Sequence, residues 1–267
     1  MKTKLVWYSI LFFFLIGFIG FVIGFGNALS IGMAVTQPTG KAVGMPAESS
    51  SDVGEEAGNL PPGGVQVIVL GDSLARGTGD PAGEGFAERV VQAIEERRNE
   101  PVTLYNFAVE GMRSEALVSQ LEDPMILQAI ANARYVMISI GGNDLRDVAR
   151  LPLIQQDQAF EESLSNHITN LNRILQQLRT ANNRALIVFI GLYNVDYSRP
   201  NDPENAYLLE WNYETHQLLE TDDYSLFIPT YDLFQLKVDQ YLSFDGLHPS
   251  ASGYDAIADR IMRNLPE

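Results

Sequence analysis

The 267-residue chain contains no cysteine. This absence excludes disulfides, thiolate metal sites, cysteine-held iron–sulfur clusters and a thiol nucleophile. Basic residues are also scarce, since 18 lysines and arginines stand against 34 acidic residues and give a formal net charge of −16. Such an acidic chain repels polyphosphate at long range, which argues against general nucleic-acid binding. The hydrophobic content of 46% is that of a globular protein, so disorder of the whole chain is excluded as well.

Charge is absent altogether between Lys4 and Lys41, and residues 5–25 within that gap are almost entirely apolar. About 20 apolar residues form a helix long enough to cross a bilayer. Lysines precede this run, so the body of the chain is expected on the extracytoplasmic side. We predict that residues 1–35 are a signal anchor or signal peptide. The length of the run favours an uncleaved anchor, whereas a small-x-small pattern at 28–30 leaves cleavage open.

Residues 36–64 hold four prolines, six glycines and no aromatic residue. They cannot bury enough apolar surface to offset their chain entropy, which predicts a flexible linker. The remaining residues, 65–267, carry 15 basic and 30 acidic side chains, so the acidity belongs to this part of the chain. Its length suffices for one domain with a sizeable core.

Short apolar runs rich in β-branched residues recur along this domain, at 65–70, 102–107, 135–140, 186–190 and 226–228. They are continuous rather than alternating, which is typical of parallel strands covered on both faces. Apolar residues at helical spacing lie between them. The pattern predicts a single α/β domain of the doubly wound, flavodoxin-like kind, with about five parallel strands flanked by helices. The stretch from 192 to 204 lacks periodicity, holds two prolines and is predicted to be a loop.

Four polar blocks fall beside these elements, and in doubly wound sheets ligands bind outside the carboxyl ends of the strands. They are Gly71-Asp72-Ser73-Leu74, Asn106 to Gly111, Gly141-Gly142-Asn143-Asp144 and, before the last helix, Asp245-Gly246-Leu247-His248-Pro249. In this order the blocks resemble those of the SGNH hydrolases, also called the GDSL lipase/esterase family, over residues 65–267. The resemblance implies ester hydrolysis through an acyl-enzyme, with no metal or organic cofactor.

Ser73 is the candidate nucleophile, although a serine after a strand can also be a helix N-cap. A serine hydroxyl needs a base to remove its proton, and His248 is the candidate base. Asp245 lies three residues earlier, close enough to reach the far nitrogen of the same imidazole. The other histidines, His167 and His216, fall in predicted helices among polar residues, and we expect both at solvated positions.

The candidate oxyanion donors are the side-chain amide of Asn143 and the backbone N–H of Gly111, because acyl transfer develops negative charge on the carbonyl oxygen. The family resemblance implies the N–H of Ser73 as a third donor. Asp144 is expected to anchor its loop rather than to react. Asn106 is expected to be structural.

One residue departs from the family pattern: Ala108 stands where members often have glycine. Because alanine is small and precedes the donor, we expect a backbone adjustment rather than lost activity.

Two other functional motifs are incomplete in this sequence. No lysine follows residues 77–79 at the spacing of a phosphate-binding loop, and Ala75 replaces the second glycine of the α/β-hydrolase elbow.

The sequence therefore predicts an extracytoplasmic serine ester hydrolase of lipase or esterase type. Its expected partners are a small-molecule, lipid or glycan acyl ester and, through the N-terminal helix, the membrane; no nucleic acid is expected. Three alternatives remain open: a polysaccharide O-acetylesterase, a thioesterase or lysophospholipase that uses the same site, and a catalytically inactive binding module.

Overall fold

The structure is a computed structural model that describes residues 64–195, 203–235 and 237–266. The predicted anchor and all but the last residue of the predicted linker lie outside the described residues, as do positions 196–202 of the predicted loop. In the part of the chain that is described, no helix combines the length and the apolar character needed to span a membrane.

Five strands form one sheet in which every neighbouring pair is parallel. The strands are β1 (Val65–Gly71), β2 (Val102–Asn106), β3 (Tyr135–Ser139), β4 (Leu186–Ile190) and β5 (Ser225–Ile228). Their order, β2-β1-β3-β4-β5, is the flavodoxin-like order of a doubly wound sheet. The predicted α/β fold is thereby confirmed, and each predicted strand agrees with the observed one to within one residue at either end.

Ten helices are seen in the described residues. They are α1 (Ser73–Arg76), α2 (Gly85–Arg98), α3 (Ser114–Gln120), α4 (Pro124–Ala131), α5 (Gly142–Ala149), α6 (Leu153–Ala181), α7 (Pro203–Leu219), α8 (Tyr231–Phe234), α9 (Val238–Tyr241) and α10 (Ala251–Asn264). Helices α2 and α10 cover one face of the sheet, and α3, α4 and α6 cover the other.

Strand β1 shows why its sequence is apolar from Val67 to Leu70. Val67 and Val69 pack under α2 and α10, whereas Ile68 and Leu70 pack under the helices of the opposite face. All four side chains are fully buried. Burying one such side chain contributes about 1.5–3 kcal/mol, so a strand at the centre of the sheet favours apolar residues on both faces.

The chain leaves β1 through Gly71, which holds a positive φ of 121°. A Cβ atom there would lie 1.9 Å from the carbonyl oxygen of Ser139 on β3. Only glycine allows this close approach of two strand ends. The turn therefore brings the start of α1 directly over the carboxyl edge of the sheet, beside the end of β3.

The expected solvated position of His167 is wrong. This histidine lies on α6, is fully buried and stacks on Trp211 of α7 with ring centroids 4.4 Å apart. Burial lowers the pKa of His167 to about 3, so the ring is neutral in the folded protein. His216 is instead partly exposed and lies 3.3 Å from Glu220, as expected for a surface position.

Candidate active site

Ser73 is the first residue of α1, and Asp72 is the N-cap of that helix. The Asp72 carboxylate accepts a hydrogen bond from the backbone N–H of Leu74 at 3.1 Å. The helix ends after one turn at Gly77, whose left-handed conformation stops it. Asp72 therefore takes the capping role, which leaves the hydroxyl of Ser73 free to face the neighbouring loop.

The structure brings the three predicted catalytic residues into one hydrogen-bonded chain. His248 Nε2 lies 2.8 Å from Ser73 Oγ, although 175 residues separate them in sequence. His248 Nδ1 lies 2.7 Å from Asp245 Oδ2. Because an ionised carboxylate can only accept, Nδ1 carries the proton, and Nε2 is left to accept the proton of the serine hydroxyl.

The carboxylate of Asp245 is held in its charged form. Partial burial opposes ionisation, but hydrogen bonds from the His248 ring, from the backbone N–H groups of His248 and Leu247, and from the Ser243 hydroxyl outweigh it. Together they keep the pKa of Asp245 well below its ordinary value. An anion next to Nδ1 stabilises the imidazolium that forms when His248 takes a proton.

Two contacts that the sequence did not reveal hold the histidine loop in place. The hydroxyl of Tyr193 donates to the carbonyl of Leu247 at 2.7 Å. Gly79 lies so close to this loop that a Cβ would come within 2.7 Å of the Cβ of His248. Neither contact has a sequence signal, because each joins residues that are far apart along the chain.

Asn143 and Ser73 lie at the same cavity, and Gly111 does not line it. Asn143, on α5, is buried apart from 9% of its surface. Gly111 occupies an exposed turn after β2 with a φ of 74°, and no described residue accepts a hydrogen bond from its N–H. The N–H of Ser73 is likewise unpaired among the described residues. The three predicted donors thus keep N–H groups available, two of them at the cavity wall.

The residues expected to be structural are structural. Asp144 accepts hydrogen bonds from the backbone N–H of Ser114 at 3.1 Å and from its hydroxyl at 2.8 Å, which joins α5 to α3. Asn106 donates to the carbonyl of Ala75 at 3.0 Å and accepts from the N–H of Ala108 at 3.0 Å. Ala108, the residue that departs from the expected pattern, is buried in this turn.

The cavity next to Ser73 has a volume of about 240 Å³. Most of its wall is apolar and comes from α1, α5, the segment after β4, and α7; these side chains are Leu74, Leu145, Ala149, Leu192, Val195 and Leu208. The charged or polar groups of the wall include Asp72, Asn143, Arg146, Asn194 and His248.

Metal-ligating side chains do not cluster in groups of three or more within the described ranges. The polar groups around Ser73 form a nucleophile, a base and an anion beside an apolar cavity. This arrangement fits the predicted roles of nucleophile, base and orienting anion.

The chain belongs to the GDSL-like Lipase/Acylhydrolase family, whose model matches residues 69–256. It is 30% identical over 208 residues to the uncharacterized protein YpmR of Bacillus subtilis, covering 75% of this chain and 81% of YpmR. It is also 30% identical to the spore germination lipase LipC of Bacillus licheniformis, covering 74% of this chain and 94% of LipC.

Among solved structures, the chain is similar to the lipase Lip_vut3 from a goat rumen metagenome, with a TM-score of 0.68 and 28% identity. That match covers 74% of this chain and 96% of Lip_vut3. The protein is thus an ester-hydrolysing enzyme of the lipase and esterase type.

Proposed function

We propose that this enzyme is a serine ester hydrolase that forms an acyl-enzyme on Ser73 and works on the extracytoplasmic side of a membrane. The observation that carries the proposal is the unbroken chain from Ser73 Oγ through His248 to Asp245, with distances of 2.8 and 2.7 Å. The extracytoplasmic side follows from the apolar run at 5–25 and the lysines that precede it.

In the proposed reaction, His248 Nε2 takes the proton of Ser73 as Oγ attacks the ester carbonyl carbon. The oxyanion is held by the amide of Asn143 and the N–H of Ser73, which line the cavity, whereas a contribution from the N–H of Gly111, which lies off the cavity wall, stays a prediction. The imidazolium then gives its proton to the leaving alcohol, and the acyl group stays on Ser73. Water, deprotonated by His248, attacks the acyl-enzyme and releases the acid with the serine restored.

The apolar cavity favours an ester of an aliphatic acid over an acetyl ester of a polysaccharide. A sugar ring offers many hydroxyls, and each needs a polar partner when it is buried. The aliphatic walls at Leu145, Leu192 and Leu208 supply none. A thioester or a lysophospholipid also carries an acyl chain that suits apolar walls, so both substrate classes remain candidates.

The test is hydrolysis of p-nitrophenyl esters from acetate to palmitate by the full-length chain in a mild detergent, with an acyl-thioester series beside it. Ser73→Ala should abolish hydrolysis, because no other hydroxyl lies in reach of His248 Nε2 among the described residues. Ser119→Ala is the control, since the hydroxyl of Ser119 bonds, within the described part of the chain, only to the carbonyl of Glu115 in its own helix.

Hydrolysis that survives in Ser73→Ala would contradict the proposed nucleophile. An optimum at acetate would favour the O-acetylesterase alternative over a lipase-like enzyme. A folded protein that hydrolyses no ester or thioester would support the inactive binding module.

A further inference from the structure

The side-chain amide of Asn143 is held at both ends by groups of opposite polarity. Its Nδ2 donates to the carbonyl oxygen of Met112 at 2.9 Å. Its Oδ1 accepts a hydrogen bond from Nη2 of Arg146 at 2.8 Å. A carbonyl can only accept and a guanidinium can only donate, so both contacts select the same orientation of the amide. The second N–H of Nδ2 is then left for the cavity that Asn143 lines.

Helix geometry places the Arg146 guanidinium next to the Asn143 amide oxygen. It follows Asn143 by three residues on α5, so the two side chains lie on the same helix face. Arg146 also lines the cavity, and it is exposed enough to be replaced without leaving a void in the core.

The acidic residues around Arg146 are engaged elsewhere. Asp144 is bonded to Ser114, and Asp147 pairs with both Arg113 and Arg150. None of the ion pairs within the described residues includes Arg146. Among the described residues no carboxylate pairs with its positive charge, and its observed hydrogen bond is the one to the Asn143 amide.

We propose that Arg146 is a positioning residue for ester hydrolysis, which acts by orienting and polarising the amide of Asn143. The inference rests on the proposed function of that amide as an oxyanion donor. If the amide turned over, Oδ1 would face the developing oxyanion and repel it. With Arg146 on Oδ1, the N–H faces the oxyanion, and the guanidinium charge makes that N–H a better donor.

The first experiment measures kcat and KM of the full-length chain on neutral p-nitrophenyl butyrate. Arg146→Met should lower kcat about ten-fold, which is the range of one charge-assisted hydrogen bond, and leave KM nearly unchanged. Arg146→Lys should restore most of kcat, because an ammonium can still donate to Oδ1. Arg150→Met is the matched control: it removes an exposed arginine at the C-cap of the same helix, four residues after Arg146, and should leave kcat unchanged.

The second experiment is a double-mutant cycle with Asn143→Ala. Removing the amide should lower kcat by roughly 10²–10³. In that background, Arg146→Met should cause no further loss, because its only route to the reaction has gone. A merely structural role would instead lower kcat by the same factor in both backgrounds, and that result would overturn the proposal.

Two further outcomes distinguish the positioning role of Arg146 from a substrate-binding role and from a failure of the proposed function. A wild-type kcat in Arg146→Met, with KM raised only for the anionic p-nitrophenyl hemisuccinate, would make Arg146 a substrate contact and overturn its positioning role. Ser73-dependent hydrolysis would meanwhile leave the proposed function intact. Equal hydrolysis by wild type and Ser73→Ala would instead overturn both. Thermal unfolding of each variant confirms the fold, and Arg146→Ala replaces Arg146→Met if the latter unfolds early.

Discussion

Asp72 and Ser73 are neighbours in sequence whose side chains meet different environments. The Ser73 hydroxyl faces His248 at the cavity, whereas the Asp72 carboxyl is 95% buried beneath it and bonded to Leu74 and Ser139. Burial raises the pKa of Asp72 from 3.8 to about 7. At neutral pH a large part of this acid is therefore protonated, which limits the negative charge beside the place where an oxyanion would form.

The raised pKa of Asp72 predicts a stability that depends on pH. A raised folded pKa means that the folded state holds the proton more tightly, so this contribution is complete below pH 3.8 and is lost as the pH rises to about 7. The loss amounts to as much as about 4 kcal/mol. Asp72→Asn should therefore raise the melting temperature at pH 8 and change it much less at pH 4.

Asp80→Asn is the control for that prediction, because the pKa of Asp80 is shifted in the opposite direction. Burial would raise the pKa of Asp80, but hydrogen bonds from Arg89 and from two backbone N–H groups lower it. Its contribution is present above the ordinary pKa of 3.8 and is lost in acid. Asp80→Asn should lower the melting temperature at pH 8. A parallel response of the two variants, measured by circular dichroism, would contradict the buried and neutral Asp72.

At the scale of an element, the loop between α1 and α2 packs against His248, the proposed general base. Gly79 has a φ of 93°, and a Cβ there would lie 2.6 Å from the carbonyl oxygen of Pro249 and 2.7 Å from the Cβ of His248. Gly83, four residues further on in the same loop, has a φ of 71° and nothing within 4 Å of the same position. Both glycines have a positive φ that other residues rarely adopt, but only at Gly79 would an added Cβ meet neighbouring atoms.

This pair allows a matched test. Gly79→Ala should displace His248 and lower kcat on p-nitrophenyl butyrate by about 10², the usual cost of misplacing a catalytic group by 1 Å. Gly83→Ala should cost about 1–2 kcal/mol of stability from its left-handed backbone and leave kcat unchanged. Equal kcat values for the two variants would show that the loop does not position the histidine.

The elements also show where sequence patterns suffice. Strands such as β1 and β3 are predominantly apolar, and the predicted ends agree with the observed ones to within one residue because burial on both faces favours apolar residues along the whole strand. The surface position expected for His167 was wrong, because a contact with a distant helix buries it. Polar neighbours on α6 suggested a solvated face, but Trp211 of α7 covers that ring. Which helix covers another depends on packing between distant segments.

At the scale of the whole molecule, the acidic domain is preceded by the predicted anchor at 1–35 and linker at 36–64. The full-length chain should sediment with membranes, and deletion of residues 1–35 should shift ester hydrolysis to the soluble fraction without loss of kcat. The physical reason is that about 20 apolar residues hold a chain in a bilayer far more strongly than the surface of an acidic domain can.

The side of the membrane is tested by adding protease to intact spheroplasts. The extracytoplasmic proposal expects that the domain is cut without lysis, because the two lysines before the apolar run stay inside. A cytoplasmic marker protein is the control for leakage. Protection of the domain until the cells are lysed would contradict the proposed location.

Within the site, what could be predicted depends on how far the contacts reach along the chain. Asp245 and His248 are three residues apart, so their pairing follows from local turn geometry. Ser73 is predicted as the nucleophile because its block follows a strand and a candidate base, His248, stands in a later block; alone, a serine at that place is as readily an N-cap. The bond from Arg146 to Asn143 had no comparable signal, since an arginine on a helix is ordinarily a solvated surface residue.

The sequence by itself determined the strands of the sheet, the blocks at their carboxyl ends, and the acidity of the domain. These properties depend on local periodicity, turn residues and composition, which act within a few residues. Only the tertiary structure decided that Gly79 and Tyr193 support the histidine loop, that His167 is buried, and that Gly111 lies off the cavity wall. Those facts depend on how segments separated by tens of residues pack together, and that packing is a property of the whole fold.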